Sequence, residues 1–142
     1  MIRRAEQRDI PDIMKIWLET NISAHEFISM DYWEKNYAAV EQIMPEAEIY
    51  VCIKDGEMAG FIGLMGNYAA GIFVKENYQS MGIGKTLLDH VKERREELVL
   101  HVYEKNKRGL KFYLREDFVK VGEQLEEENQ EWEYEMRWRA RR

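Results

Sequence analysis

The residues best suited to chemistry form the run Gln79-Ser80-Met81-Gly82-Ile83-Gly84-Lys85-Thr86, between a strand ending at Val74 and a following helix. A glycine-rich turn feeding a helix N-terminus gathers several unpaired backbone N–H groups, and the helix dipole adds about half a positive charge there. Such a place suits a phosphate or pyrophosphate. Gly82 and Gly84 would let the backbone approach that ligand without a Cβ in the way. Two familiar phosphate loops do not fit. Gly84-Lys85-Thr86 matches the end of a nucleotide-triphosphate loop, but the glycine required five residues before Gly84 is replaced by Gln79. A dinucleotide fingerprint needs glycine where Leu87 stands, on a loop after an early strand with a parallel partner. For this loop alone, a plain glycine-rich helix cap remains the alternative.

A second constellation follows about twenty residues later, in Asn106-Lys-Arg-Gly-Leu-Lys-Phe-Tyr113-Leu-Arg-Glu-Asp-Phe118. The first loop, Gln-x-x-Gly-x-Gly after an Ile72-Phe73-Val74 strand end, resembles motif A of the Gcn5-related N-acetyltransferases. The second run resembles their motif B, N-x-x-A-x-x-F-Y-x-x-x-G-F, with Asn106, Phe112, Tyr113 and Phe118 matching. Gly109 stands where alanine is usual, and Asp117 replaces the glycine that ends the helix. Aspartate tolerates the left-handed conformation needed there better than most residues. The resemblance covers essentially the whole chain. It is nearest to small bacterial members with a His-x-Phe segment before the second helix, here His25-Glu26-Phe27.

That resemblance implies transfer of an acetyl group from acetyl-coenzyme A, as co-substrate and with no metal, to a primary amine in a ternary complex. The acceptor would be a protein lysine, a protein N-terminus or a small amine. The Gln79–Thr86 loop would hold the pyrophosphate. Backbone N–H groups at Ile72, Phe73 and Val74 would orient the thioester, one of them stabilising the oxyanion. Asn106 would hydrogen-bond the pantetheine arm, and Tyr113 would protonate the departing thiolate. A phenol of pKa about 10 protonates a thiolate whose conjugate acid lies near 8.5 only if transfer is coupled to bond breaking. An alkylamine of pKa about 10.4 also needs a proton acceptor. Some protein-modifying relatives carry a glutamate five residues before the motif B asparagine, and here that position is His101. Imidazole, with an unperturbed pKa near 6.5, suits the role, although a structural histidine would fit the strand equally well. His25 and Glu26 are alternative acceptors if the segment containing them and Phe27 lines the acceptor cleft. A coenzyme-A-binding sensor without turnover is the alternative function, and Tyr113 favours the enzyme.

The elements that must position these residues follow from periodicity. Ile2–Glu6 reads as a strand. Ile10, Ile13, Met14 and Trp17 make an amphipathic helix with Asp9 as N-cap and Pro11 in its first turn. Trp33, Tyr37, Val40 and Met44 define a second helix ending before Pro45. Ile49–Ile53, Met58–Met65 and Tyr68–Val74 read as an antiparallel meander turned by Asp55-Gly56 and Gly66-Asn67. A helix is predicted over Gly82–Glu97, a strand over Leu98–Tyr103 with Val99, His101 and Tyr103 on one face, and a helix over Asn106–Glu116. Two closing strands flank Glu126–Asn129, the last presenting Trp132, Tyr134, Met136 and Trp138 to the core. The order β-α-α-β-β-β-α-β-α-β-β describes one α/β domain, a mixed, mostly antiparallel sheet with helices on both faces.

Composition narrows the function. The chain has 142 residues, with 21 Lys and Arg against 27 Asp and Glu, a formal charge of −6. That charge argues against a nucleic-acid partner and weakly favours a cationic acceptor. The arginines at 137, 139, 141 and 142 read as a solvated end. Lone Cys52 excludes an internal disulfide and reads as a small buried hydrophobe in a reducing compartment. Met58–Val74 is too short and too interrupted by glycine to span a bilayer, so the expected location is the cytoplasm.

Overall fold

The computed structural model describes residues 1–141. Its strands are β1 (Ile2–Arg4), β2 (Glu48–Lys54), β3 (Glu57–Met65), β4 (Tyr68–Val74), β5 (Glu97–Tyr103), β6 (Val119–Glu126) and β7 (Glu131–Arg139). They form one sheet in the order β1-β2-β3-β4-β5-β7-β6. All neighbours are antiparallel except β4 and β5. The helices are α1 (Ile10–Ala24), α2 (Met30–Ile43), α3 (Ile83–Lys92) and α4 (Lys107–Arg115).

Each face of the sheet has its own core. Ile13, Met14, Ile16 and Trp17 of α1 and Trp33 of α2 pack with Ile49, Val51 and Phe61 on one side. Ile83, Leu87, Leu88 and Val91 of α3, with Tyr113 of α4, pack with Ile62, Leu98, Leu100 and Met136 on the other. Cys52 is buried, as its apolar run predicts. The β2–β3 turn places both Asp55 and Gly56 at positive φ, +54° and +79°, as an Asp-Gly hairpin requires.

Three expectations change. Asp9 holds the N-cap position of α1 but makes no side-chain hydrogen bond to it, and it also ends a preceding 3-10 turn, Gln7–Asp9. Its carboxylate instead takes two hydrogen bonds from the Arg3 guanidinium, at 2.7 and 3.0 Å, and one from the Glu6 amide at 2.7 Å. Helix α1 extends to Ala24 because His25 closes it, its amide donating to Asn21 O at 3.0 Å. Helix α3 ends at Lys92 rather than Glu97, since no inward apolar residue follows Val91. There Arg94 folds back onto His90 O, and Arg95 reaches Gly66 O and Glu48. On β7, Met136 is buried and Tyr134 and Trp138 pack on the core, but Trp132 is 48% exposed at the hairpin tip.

The arginine-rich end also differs from a plain tail. Arg137 and Arg139 are strand residues of β7, and Arg139 pairs with Glu97 at 3.4 Å. Arg142 lies outside the described residues. The Arg3–Asp9 pair anchors β1 to α1 and makes stability pH-dependent. Hydrogen bonding from Arg3 holds the Asp9 carboxyl below the usual range, opposed by burial. Its contribution is therefore complete above the unfolded carboxylate value, near 4, and is lost as pH falls through the lower folded value. Asp9→Ala should cost about 2 kcal/mol at pH 7 and much less near pH 2, read from urea melts at the two pH values.

Candidate active site

A gap in the sheet builds the site. Strands β4 and β5 pair only through Tyr68 and Val99, where the Val99 amide donates to Asn67 O at 2.9 Å. Beyond that point they part. A bulge helps to turn β4 away, since Gly63 pairs with Gly71 but Leu64 with Ala69, leaving Ala70 without a partner on β3. Gly71 has φ +154°, and a Cβ there would fall 2.7 Å from the Phe73 ring. The Lys75 amide bonds Ala59 O of β3 at 2.8 Å, so by alternation Phe73 also faces β3, while the amides of Ile72 and Val74 face the open edge. The expectation of three amides along the slot thus becomes two. The Phe73 ring stacks on Phe61 at 4.8 Å.

The slot widens into a cleft of about 1090 Å³ running from the α3 N-terminus to the α1–α2 loop. At the α3 end, Ser80 and Gly82 both adopt left-handed φ, +65° and +81°. The first helical amide with a partner is that of Thr86, on Gly82 O at 3.0 Å. Among the described residues, the amides from Ser80 to Lys85 have no backbone acceptor, a concave array of donors suited to an anion. A Cβ at Gly82 would meet nothing, but its φ is one that side chains rarely adopt. Gly84 lines the cleft and also borders α4, where a Cβ would come into van der Waals contact with the Phe112 ring at 3.4 Å. Ser80, Gly82, Ile83, Gly84 and Lys85 line the cleft; Met81 and Thr86 do not, and the Thr86 hydroxyl turns back to Gly82 O.

Gln79 shapes the loop through its side chain, donating to Val74 O at 3.0 Å and accepting from Arg108 Nη1 at 2.8 Å. Arg108 also reaches Ser80 Oγ at 3.2 Å. Sequence reasoning missed this clamp, because Arg108 occupies an unspecified position of motif B. Asn106 caps α4, its Oδ1 accepting from the Gly109 amide at 3.0 Å. Asp117 has φ +72°, as expected of a glycine substitute. Lys85, Lys107, Arg108, Lys111 and Arg115 give this end of the cleft a positive rim.

Tyr113 enters from α4 beneath the slot. Burial pushes its phenol up to about 12, opposed by a hydrogen bond from the Ile72 amide. It therefore keeps its proton at neutral pH, beside one of the two amides on the open edge. Opposite, His101 lines the cleft between Tyr68 and Glu135. His25 also lines it, stacked on Trp33 at 5.2 Å and edge-on to Tyr103 at 5.3 Å. Its Nδ1 faces Asn21 O at 3.0 Å, and burial holds it below the ordinary imidazole value. Phe27 packs against Tyr103 outside the lining, and Glu26 is exposed away from it. The Tyr103 hydroxyl donates to Glu126 at 2.7 Å, and Glu133 adds a carboxylate to the lining. One end of the cleft suits phosphates and the other a cation.

The acetyltransferase (GNAT) family profile matches residues 10–118. The chain belongs to that family. It is 34% identical, over 97% of its length and 96% of the relative's, to the peptidyl-lysine N-acetyltransferase YiaC of Escherichia coli. The fold is shared with apo YjaB from Escherichia coli, with a TM-score of 0.85 and 23% identity over 96% of this chain and 95% of that one. It is shared also with the PaiA N-acetyltransferase of Thermoplasma acidophilum in complex with coenzyme A, with a TM-score of 0.80 and 20% identity over 99% and 98% of the two chains. This acetyltransferase uses acetyl-coenzyme A as acetyl donor and an amine as acceptor. The free amides of the Gly82 turn and its basic rim fit the diphosphate of that donor. Gly82→Val should distort the turn and weaken coenzyme A binding tenfold or more, about 1.4 kcal/mol, by titration calorimetry on the folded variant.

Proposed function

We propose that this acetyltransferase modifies protein lysine side chains, and that Tyr113 and His101 move the protons of the reaction. The observation that carries this reading is the two-ended cleft. Its basic end meets the phosphates, and its far end presents Glu133, Tyr103 and His101 to an incoming ammonium group. The names of the relatives YiaC and YjaB, both peptidyl-lysine N-acetyltransferases, support the same acceptor. The −6 charge favours the approach of cationic segments, and the single buried thiol suits the cytoplasm.

In this reading the amides of Ser80 to Lys85 hold the pyrophosphate, with Gln79 and Arg108 keeping the loop in shape. The Asn106 Nδ2 has no acceptor among the described residues and would meet the pantetheine arm. The amides of Ile72 and Val74 orient the thioester carbonyl, and whichever meets its oxygen stabilises negative charge as it develops. Tyr113, protonated and shielded from water, delivers its proton as the carbon–sulfur bond breaks. His101 accepts the acceptor ammonium's proton on the opposite wall. His25 is the weaker candidate, because its ring already closes α1 and packs among aromatic side chains.

Mass spectrometry of lysine peptides, a blocked N-terminal peptide and spermidine after incubation with acetyl-coenzyme A tests the acceptor. Acetylation confined to spermidine would overturn the lysine assignment. Tyr113→Phe should lower kcat by roughly 10²–10⁴-fold while leaving the KM for acetyl-coenzyme A within a few fold. For His101, kcat should rise with pH along a limb that stays in place when the acceptor amine is changed. His101→Ala should remove that limb, leaving the one that follows the amine.

A further inference from the structure

The two ring nitrogens of His101 are both engaged. Nδ1 lies 3.2 Å from the Tyr68 hydroxyl, and Nε2 lies 3.5 Å from Glu135 Oε1, at ion-pair distance. In the tautomer that keeps its proton on Nε2, toward the Glu135 carboxylate, the Nδ1 lone pair turns to Tyr68. The Tyr68 O–H then donates to Nδ1, and its oxygen lone pairs stay available to the cleft, which Tyr68 lines. Nδ1 is covered by the Tyr68 hydroxyl, so an acceptor amine reaches that nitrogen through Tyr68.

We propose that Tyr68 is the residue that touches the acceptor ammonium, passing its proton to His101, with Glu135 as the positioning residue that holds the imidazole and neutralises the imidazolium. This rests on the reading of His101 as the proton acceptor. The balance is simple. An ammonium N–H bond breaks as an O–H bond to Tyr68 forms, and the original Tyr68 O–H breaks as an Nδ1–H bond forms. The electron pair left on nitrogen attacks the thioester carbonyl. Tyr68 ends as it began, and the proton leaves His101 for solvent after the transfer.

Three further observations support the relay. Tyr68 belongs to the last paired position before β4 and β5 separate, so it stands at the mouth of the slot. Tyr68 and Tyr113 line the same cleft, so an amine held by one phenol lies in the space that the other borders. Burial, Glu133 and Glu135 all push Tyr68 up, so it stays a neutral hydroxyl, which a two-way proton carrier requires. The groups facing His101 are Tyr68 from β4 and Glu135 from β7, with Glu133 of β7 acting on Tyr68.

The test is a double-mutant cycle with two acceptor amines of different pKa. Tyr68→Phe keeps the ring that packs on the imidazole, so its melting temperature and coenzyme A affinity should match the wild type. Its kcat should fall about a hundredfold and the enzyme's own pH limb should vanish. The Tyr68→Phe, His101→Ala double variant should be no slower than the slower single variant, within a few fold. Glu135→Gln should move the limb to lower pH, a shift that a purely structural residue would not produce. Wild-type kcat and pH profile in Tyr68→Phe, or losses that multiply in the double variant, would overturn the relay while leaving His101 as base. An unmoved limb in Glu135→Gln would remove Glu135 from it. If His101→Ala keeps both rate and limb, the reading beneath the relay fails instead.

Discussion

The structure turns on a parallel strand pair that is made once and then abandoned. Paired strands satisfy each other's backbone groups, and leaving such groups unpaired inside a protein costs about 1–3 kcal/mol each. Here β4 and β5 meet at Tyr68 and Val99 and then diverge, leaving the amides of Ile72 and Val74 on an open edge. The Ile72 amide is met by the Tyr113 hydroxyl, and in the proposed reading the acetyl donor takes the place of the strand partner that is missing beside it. Every other feature of the site serves that opening. The bulge at Ala70 bends β4, Gly71 allows the bend, and α3 and α4 close the slot from one side while α1 and α2 approach from the other.

Charge is distributed along the opening in the same spirit. The α3 N-terminus and the lysines and arginines of α3 and α4 make one end positive, and the β6–β7 hairpin brings Glu126 and Glu133 to the other. In the proposed reading a phosphate-bearing donor and an ammonium acceptor enter from opposite ends and meet where the strands part. Tyr113 and His101 stand on opposite walls of that meeting point. In the proposed mechanism one keeps its proton until a leaving group needs it, and the other receives one.

Much of the helical support is arranged by side chains that serve two ends at once. His25 closes α1 through its amide and, through its ring, packs the α1–α2 loop against Tyr103. Arg108 ties α4 to the glycine-rich loop through Gln79 and Ser80. Glu116, buried at the end of α4, accepts from Lys85 at 3.1 Å, so the two helices that flank the loop are joined at both ends. These links make the loop part of a rigid frame rather than a free turn.

Local rules made most of the architecture legible. Helical and strand periods located the eleven strands and helices loosely, Asp55-Gly56 predicted its hairpin, and the spacings in Gln79–Gly84 and Asn106–Phe118 led to the family and to acetyl-coenzyme A. The errors arose where distant partners override local preference. Asp9 sits at the N-cap of α1 but gives its carboxylate to Arg3, and α3 stops at Lys92, beyond which Arg94 and Arg95 turn to His90 O, Gly66 O and Glu48. The sequence by itself determined the order of the elements and the two family motifs, because those depend on spacing along one strand, loop or helix. Only the tertiary structure decided what they face. That Tyr68 and Glu135 bracket His101, from positions 33 residues before it and 34 after, follows from a strand order in which β5 lies between β4 and β7. Pairing of that kind joins segments remote in the chain, and no local periodicity records it.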